Sequence, residues 1–395
     1  MSDTRPPAIL AAAFSARQIA ASARLAGIDC LAVDFFGDAD LRDHAARCEV
    51  LRGHYPDGFS GDELIAALAR LAADDRLLGF VYGAGFEDRP ELLEAIAERW
   101  PILGTDPATV RRLKEPESFD TICREAGVAH PEIRRDRPAD PAAFVSKKVG
   151  GCGGSHVIHG NAAPAADRYY QRFVEGTRVS MAFVAAARRT AFLGYSSQWA
   201  DPSPQEPFRY GGAVGPITVD GDADAAMRQA VAGIAARLPL AGLCSADFVL
   251  GEAGPVLLEI NARAGATIDV FDDPARPLIA LHLAALRGEL PETEPQAPAE
   301  IRASGLAWAE RPLRVPAGFA WPDWTRDRTA PPAEFAAGEP ICTVVAAASF
   351  QHREKEFGLV LVSTRLYVNF HASLCLHLLS HRCRHLRHHP TRDLQ

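Results

Sequence analysis

Short apolar runs alternate with helical patterns over the first hundred residues. Runs of four or five apolar residues have the length of buried strands, and between them apolar positions recur at helical spacing. Ser60 and Glu63 also show the spacing of a helix capping box. The predicted strands are 8–12, 30–33 and 78–82, and the predicted helices are 15–25, 64–71 and 90–100. This βαβα order predicts an α/β domain with a mostly parallel sheet and helices on both faces.

In such a sheet, ligands bind beyond the carboxyl ends of the strands. Asp34 follows the second predicted strand, and residues 83–87 follow the third. We therefore expect Asp34 and Glu87 to lie at this crevice, with Glu87 in contact with substrate.

The pattern changes after residue 105. Asp106 and Pro107 have the residue types of a helix N-cap and first helical position, and a second helix runs from Pro116 to Gly127. Strand patterns then dominate, at 144–149, 169–174, 179–184, 190–195, 246–250 and 256–260, with one helix at 223–237. This block predicts an α+β domain with antiparallel strands. Residues 291–345 are rich in Pro and Trp and predict a small closing β subdomain.

Composition and charge narrow the functional classes. The 395 residues are 48% hydrophobic and 23% charged, which is typical of a folded globular protein. The net charge of −8 argues against nucleic acid or an anionic membrane as the main partner, because both require excess Lys and Arg. No apolar run approaches the roughly 18 residues of a membrane span, and the N-terminus lacks a signal-peptide pattern. These features predict a cytoplasmic protein. Eight cysteines without a CxxC pair predict reduced, mostly buried thiols.

A glycine-rich segment follows the strand pattern at 144–149. Lys147 and Lys148 precede Gly150, Gly151, Gly153 and Gly154. Glycines allow backbone N–H groups to approach an anion, and a lysine supplies a mobile charge for phosphate oxygens. The segment is neither a Walker A loop nor a dinucleotide fingerprint, whose third glycine position holds His156. The alternative interpretation is a plain hairpin loop.

Two adjacent strand patterns carry a polar set. Asp247 and Glu259 flank a Gly-rich turn, so a hairpin would place both carboxylates on one face, followed by Asn261 and Arg263. Carboxylate and amide oxygens suit Mg²⁺ held between protein and phosphate, and the arginine suits a phosphoryl group or carboxylate. The alternative is a solvated, charged hairpin face.

Two further segments complete the candidate set. Residues 170–176 form a strand pattern ending in Glu-Gly, which could present backbone groups to a flat ring. Residues 208–212 form a candidate acceptor-binding loop, in which Arg209 could bind a substrate carboxylate bidentately. The alternatives are an ordinary strand and a mobile surface loop.

In their order and spacing, these motifs resemble the ATP-grasp superfamily over roughly residues 8–345. The closest branch is the biotin-carboxylase-like group of predicted ATP-dependent carboxylate-amine ligases. The resemblance implies Arg263 and Lys147 as catalytic residues, and Asp247, Glu259 and Asn261 as ligands for Mg²⁺, with Mn²⁺ as an alternative. The implied ATP-binding residues are Lys114, Lys147, Gly151, Gly153, Gly154, Gln171, Arg172, Val174 and Glu175. Lys148 is an alternative to Lys147, and the family usually has Glu at the position of Gln171.

The resemblance also implies a division of the chain into domains. A pre-ATP-grasp α/β domain would span 1–105. The ATP-grasp region would comprise subdomain A at 106–176, with the phosphate loop, and subdomain B at 177–290, with the metal and catalytic residues. The small β subdomain would span 291–348.

The implied function is an ATP-dependent ligase that activates a carboxylate as an acyl phosphate and joins it to an amine. The substrates would be small molecules of biosynthesis, among which a one-carbon cofactor precursor is one option, and the resemblance allows a homodimer. A bicarbonate-using carboxylase is one alternative, although no biotin-attachment motif is present. A non-catalytic ATP-binding regulatory module is the other.

The composition shifts at about residue 349. Histidines and cysteines crowd the segment 371–385, and their spacing matches no known zinc site. We expect residues 349–395 to be disordered or aberrant, for example through a frame change in the coding sequence. Zinc binding is the alternative.

Overall fold

The computed structural model describes residues 6–53, 57–73, 76–294, 298 and 300–349. The helices are α1 Arg17–Leu25, α2 Ala39–His44, α3 Gly61–Leu71, α4 Pro90–Ala97, α5 Pro107–Lys114, α6 Pro116–Ala126, α7 Gly221–Arg237, α8 Ile268–Phe271 and α9 Leu278–Leu286. The first nine strands are β1 Ala8–Ala12, β2 Asp29–Asp34, β3 Arg47–Val50, β4 Leu77–Tyr82, β5 Ile133–Arg134, β6 Phe144–Lys148, β7 Val157–His159, β8 Arg168–Arg172 and β9 Thr177–Ala186. The others are β10 Arg189–Ala200, β11 Tyr210–Ile217, β12 Gly242–Gly251, β13 Gly254–Asn261, β14 Glu300–Trp308, β15 Leu313–Val315, β16 Thr325–Arg326, β17 Ala333–Phe335 and β18 Pro340–Ser349.

The N-terminal sheet is parallel, in the order β3-β2-β1-β4. Every residue of β1 is buried, as expected for a central strand covered on both faces. The predicted α/β domain is therefore present, although the sequence patterns missed the short helix α2 and the edge strand β3. The carboxyl ends of β1, β2 and β4 face the rest of the chain.

Helix capping agrees with one prediction and contradicts another. Asp106 caps α5, since its carboxylate accepts the Thr109 backbone N–H at 2.9 Å. Ser60 precedes α3 but makes no side-chain cap bond, so the predicted capping box is wrong. Packing of Leu64, Leu68 and other apolar residues against the sheet holds this helix instead.

The second half of the chain forms a large antiparallel sheet in the order β13-β12-β9-β10-β11-β14-β18-β16. Helix α7 packs on one face, where Val231 and Ile234 join Phe183 and Phe248 in one core. The strands alternate side chains between the two faces. One face therefore forms this core. The other face packs Val184, Leu193 and Leu243 into a second core and also carries polar residues that line the cleft.

A smaller antiparallel sheet, β5-β8-β6-β7, follows the helix pair α5–α6. The glycine-rich segment connects its strands β6 and β7. The C-terminal β region divides: β14 and β18 extend the large sheet, whereas β15 and β17 pair separately. The predicted domain boundaries stay predictions.

The predicted tail lies, apart from Ser349, outside the described residues. Within the described ranges, none of the helices combines the length and apolarity that a membrane span requires.

Candidate functional site

One cleft of about 650 Å³ runs between the parallel sheet and the two antiparallel sheets. Loops at the carboxyl ends of β1, β2 and β4 form one wall. The glycine-rich turn, the end of β8 and the polar face of β9–β13 form the others, and the C-terminal strands close one end. Segments distant in sequence therefore meet at a single site.

Asp247 and Glu259 lie directly opposite each other on β12 and β13. The Asn261 amide joins them, since its Nδ2 donates to Asp247 Oδ2 at 3.1 Å and to Glu259 Oε1 at 3.2 Å. Gln198, on β10, approaches Asp247 with its Nε2 at 3.4 Å from Oδ1. The predicted hairpin face thus forms the floor of the cleft and not a solvated surface.

The two carboxylates differ in their pKa values. Burial and the neighbouring Glu259 raise the pKa of Asp247 to about 6. Burial also opposes the ionisation of Glu259, but Lys114 and Lys147 outweigh it and hold the pKa of Glu259 below its usual range. Facing carboxylates of this kind are stabilised by a divalent cation.

Asp247, Glu259 and Asn261 together supply part of the ligand set that Mg²⁺ requires. The carboxylates and the Asn261 amide offer hard oxygen ligands. No group of three or more Asp, Glu, His or Cys side chains with metal-binding geometry occurs among the residues that the structure describes. The described residues therefore offer part of a ligand set, which suits an ion whose remaining ligands are phosphate oxygens and water.

Lys114 and Lys147 converge on the same carboxylate from different elements. Lys114 ends α5, and its Nζ donates to Asn261 Oδ1 at 2.8 Å and lies 3.7 Å from Glu259 Oε2. Lys147, on β6, places its Nζ 4.0 Å from the same Glu259 oxygen and 3.4 Å from Gln171 Oε1. Burial works against the charge of Lys147, but Tyr169 and Glu259 outweigh it and raise the pKa of Lys147.

Lys147 and Lys148 are adjacent in sequence, but their side chains lie on opposite faces of β6. Successive side chains on β6 point to opposite faces. Lys147 is buried in the cleft, whereas Lys148 reaches the N-terminal domain and pairs with Asp88 at 3.0 Å. Of the two alternatives that the sequence left open, this geometry favours Lys147 for contact with a triphosphate.

The glycine-rich turn packs tightly against two neighbours. Gly150 and Gly154 both have positive φ, at 67° and 74°. A Cβ on Gly150 would overlap the carbonyl oxygen of Glu87, and a Cβ on Gly154 would overlap that of Phe208. Any other residue at either position would strain the backbone and displace a neighbouring chain segment. Gly151 and Gly153 also line the cleft.

His156 anchors the end of this turn. Its Nδ1 lies 3.1 Å from the Cys152 carbonyl oxygen, so Nδ1 carries the proton and donates. Burial and the nearby Lys147 lower the pKa of His156 to about 4, which keeps the ring neutral at physiological pH. The ring packs against Gly151.

The segment predicted to bind adenine lies beside Lys147. Gln171, Arg172 and Val174 line the cleft, whereas Glu175 is not among the lining residues. The Gln171 side chain is buried, and its Nε2 has no hydrogen-bond partner in the described structure. Arg172 turns outward and pairs with Glu132 at 2.7 Å. The backbone N–H of Arg172 is also engaged, since it donates to the Glu132 carbonyl at 2.9 Å.

Arg263 pairs with Glu87 across the interface with the N-terminal domain. Arg263 Nε donates to Glu87 Oε1 at 2.5 Å, and Glu87 also accepts the backbone N–H groups of Gly85 and Phe86 at 2.9 and 3.1 Å. Burial opposes the Glu87 charge, but Arg263 and Lys114 outweigh it and lower the pKa of Glu87. Glu87 lines the cleft as predicted, yet in this structure its carboxylate positions Arg263.

Arg209 does not reach the cleft, contrary to our expectation. Its Nε donates to the Asp201 carbonyl at 2.9 Å, and its guanidinium lies near the Asp201 and Glu206 carboxylates and stacks on Trp308. The side chain is buried. Arg209 therefore stabilises the conformation of its own loop, and the neighbouring Phe208 and Tyr210 line the cleft instead.

Sequence patterns missed the end of the cleft that the C-terminal strands close. Asp38, Trp308 and Thr329 line it together. No local motif marks these residues, because they come from distant parts of the chain and meet only in the folded protein.

Comparisons with known proteins agree with this architecture. Residues 118–267 match the family model of the ATP-grasp domain. A search of curated proteins finds no sequence match. Biotin carboxylase from Campylobacter jejuni superposes with a TM-score of 0.65 at 13% identity and covers 87% of each chain. N5-carboxyaminoimidazole synthetase from Staphylococcus aureus, solved with ADP, superposes with a TM-score of 0.64 at 13% identity and covers 92% of this chain and 96% of that one.

A third structure is the biotin carboxylase domain of 2-oxoglutarate carboxylase from Hydrogenobacter thermophilus, solved with MgADP and bicarbonate. It superposes with a TM-score of 0.62 at 12% identity and covers 86% of each chain. The predicted resemblance to the ATP-grasp superfamily is thus confirmed, as is the predicted fold class. At these identities the structural matches show the shared fold alone.

Proposed function

We propose that this protein is an ATP-dependent ligase that activates a carboxylate as an acyl phosphate and joins it to an amine. The observation that carries the proposal is the convergence of Lys114 and Lys147 on Glu259, opposite Asp247, in the cleft that also holds Arg263. Two buried ammonium groups and two carboxylates match the needs of a triphosphate with its magnesium ion.

Each group has a defined part in holding the nucleotide. Lys114 and Lys147 neutralise phosphate oxygens, and the backbone N–H groups of the glycine-rich turn approach the same oxygens. Asp247 and Glu259 would hold Mg²⁺, which would neutralise charge on the phosphates. The Asn261 oxygen, which Lys114 engages in this structure, would be the third protein ligand.

The reaction has two displacements. In the first, a carboxylate oxygen of the substrate attacks the γ-phosphorus of ATP; the new O–P bond forms as the bond to the β,γ-bridging oxygen breaks, and ADP leaves. In the second, the amine nitrogen attacks the acyl carbon; the C–N bond forms, the C–O bond to phosphate breaks, and the amine loses a proton. Both steps place negative charge on phosphoryl oxygens, which Arg263 stabilises.

Water must be kept from the acyl phosphate, because it would hydrolyse the intermediate. The glycine-rich turn covers one side of the cleft and packs against the Glu87 loop and the Phe208 segment. Closure of this turn over the nucleotide would exclude water and bring the N–H groups to the phosphates.

The primary experiment is a screen of acid and amine pairs for ADP release in the presence of Mg²⁺, with mass spectrometry of the product. Release that requires both an acid and an amine supports the ligase. Release with bicarbonate alone would favour the alternative of a carboxylase. ATP binding without turnover under any pairing would favour a regulatory module.

Two substitutions test the site itself. Glu259→Gln and Arg263→Ala should each lower ADP release by about 10²–10³-fold, the typical cost of losing one charged contact to the transition state. The exposed Glu98→Gln and Arg189→Ala variants are matched controls and should retain activity. Turnover like that of the wild type in Glu259→Gln or Arg263→Ala would remove the site assignment.

A further inference from the structure

The C-terminal end of the cleft combines charge and apolar surface. We call it the distal pocket and define it by Phe36, Asp38, Trp308, Thr329 and Ile341, all of which line the cleft. Phe36 and Asp38 follow β2 in the parallel sheet, and the other residues belong to the C-terminal strands and their connections.

Three carboxylates near this pocket are fully occupied by protein groups. Asp34 accepts the backbone N–H groups of Ala16, Phe36 and Gly37. Asp40 accepts those of Asp327 and Arg328, each at 2.9 Å. Asp327 binds the buried Arg17 guanidinium at 2.9 Å and the Ser15 hydroxyl at 2.9 Å. The bonds of Asp40 and Asp327 join the C-terminal segment to the N-terminal domain, whereas those of Asp34 lie within that domain.

Asp38 differs from its neighbours. It is only 2% exposed, and within the described residues its carboxylate accepts one hydrogen bond, from the Thr329 hydroxyl at 3.3 Å. No Lys, Arg or His of the described residues pairs with it, since Arg17 is shared by Asp269, Asp327 and, at 3.9 Å, Asp40. A buried carboxylate without a cation is costly, and a cationic ligand would relieve that cost.

Trp308, which lines the same cleft, holds a hydrogen-bond donor that is unpartnered within the described residues. Its indole Nε1 is buried and has no hydrogen-bond partner in the described structure, although the ring lines the cleft. The indole N–H is a donor only, so it requires an acceptor. Arg209 stacks on the ring at 4.2 Å and holds it in place.

The remaining walls are apolar. Phe36 and Ile341 line the pocket, and Phe14 also lines the cleft. The hydrophobic part of a ligand would displace water from this pocket. The lower local dielectric constant would then strengthen an ion pair between the ligand and Asp38.

We propose that the distal pocket binds the amine substrate in its protonated form, with the ammonium group on Asp38, an apolar body between Phe36 and Ile341, and a hydrogen-bond acceptor toward the Trp308 indole. This inference rests on the proposed ligase function and specifies the class of its second substrate: a primary amine carried on an apolar, acceptor-bearing body.

The test compares amines with alcohols of the same shape. Binding of benzylamine, benzyl alcohol, hexylamine and hexan-1-ol would be measured by calorimetry at pH 7.5, with and without the magnesium salt of a non-hydrolysable ATP analogue. Each amine should bind at least tenfold more tightly than its alcohol, because a charge-assisted hydrogen bond contributes about 10–100-fold in affinity. Amines that bind no better than their alcohols would overturn the proposal.

Variants localise the effect. Asp38→Asn should abolish the preference for the amine while leaving the dissociation constant of the ATP analogue unchanged, which also shows that the variant is folded. Trp308→Phe should weaken 4-(aminomethyl)benzoate, which carries an acceptor, more than benzylamine. The exposed Asp222→Asn variant is the control and should bind every probe like the wild type. An unchanged amine preference in Asp38→Asn would refute the assignment.

The same measurements separate this inference from the proposed function. Failure of the wild-type protein to bind the ATP analogue would remove the ligase proposal, while the amine preference is still measured without nucleotide. Binding of the analogue together with no amine preference would remove only the distal-pocket assignment.

Discussion

Lys147 Nζ lies 4.0 Å from Glu259 Oε2, although the two residues belong to different sheets. Lys114 approaches the same oxygen at 3.7 Å from the end of a helix. Without nucleotide, the lysines and the acidic floor thus neutralise each other. On binding, the two lysines would pair with phosphate oxygens, and the two carboxylates would pair with Mg²⁺. Each charged side chain would therefore keep a partner of opposite charge.

The two adjacent lysines should respond differently to substitution. Lys147→Ala removes a buried ammonium from the cleft and should lower ADP release by about 10²–10³-fold. Lys148→Ala removes a half-buried pair with Asp88 and should change nucleotide affinity by less than about threefold. Titration of each variant with a fluorescent ATP analogue, followed by the ADP-release assay, distinguishes them. The reverse order of effects would show that Lys148 is the phosphate ligand.

Glu87→Gln should impair both stability and catalysis. The substitution leaves the buried Arg263 guanidinium without its carboxylate, which typically costs about 3–5 kcal/mol of unfolding free energy. Urea denaturation measures this loss. Since the hydrogen bonds described for the Glu87 carboxylate are those with Arg263 and with the Gly85 and Phe86 backbone, kcat should fall with little change in the KM for ATP. A variant that loses ATP affinity and keeps kcat would contradict this role.

Magnesium should bind weakly to the free protein. Asn261 Oδ1 is engaged by Lys114, and within the described ranges two carboxylates, Asp247 and Glu259, lie at this place. We therefore expect Mg²⁺ alone to leave the melting temperature nearly unchanged and Mg²⁺ with ADP to raise it by several degrees, since a ligand that binds only the folded state stabilises it by RT ln(1 + [L]/Kd). EDTA should reverse the second shift. A large shift with Mg²⁺ alone would indicate a preformed metal site.

The Asp38 carboxyl makes stability and amine binding depend on pH. Burial, followed by the negative charges of Asp327, Asp34 and Asp40, raises its pKa from 3.8 to about 8, although Arg17 opposes them. Between pH 4 and pH 8 the folded state therefore binds more protons at this group than the unfolded state, so unfolding free energy falls as pH rises.

Asp38→Asn removes the ionisable group and therefore the fall of unfolding free energy that it causes as pH rises. The variant should be more stable than the wild type by at least about 1–3 kcal/mol at pH 8, with little difference at pH 4. Denaturant titrations at the two pH values check this. Amine binding should strengthen from pH 6.5 to pH 8.5, because it requires the ionised carboxylate. A stability difference that is equal at both pH values would contradict the raised pKa.

Several features of the site follow from local patterns in the sequence. The hairpin bearing Asp247 and Glu259 was predictable because a short Gly-rich turn imposes antiparallel pairing and side chains alternate along a strand. The glycine-rich turn after Lys147 was equally visible. These patterns, in their order along the chain, carried the resemblance to the ATP-grasp superfamily.

Other residues depended on contacts that no local pattern encodes. Arg209 was expected to face substrate, but the nearby Asp201 and Glu206 and the distant Trp308 hold it inside its own loop. Glu87 was expected to touch substrate, and its carboxylate instead binds Arg263.

By itself, the sequence determined the βαβα order, the antiparallel strand pairs, the acidic floor and the lysine-led glycine turn, since all of these arise from periodicity and turn chemistry within short segments. Only the tertiary structure decided that Lys147 and not Lys148 faces Glu259, that the Arg209 side chain stays within its own loop, and that Asp38, Thr329 and Trp308 line the same cleft. Those outcomes depend on strand register and on packing between distant segments, because a buried charge takes whichever partner the fold brings within reach.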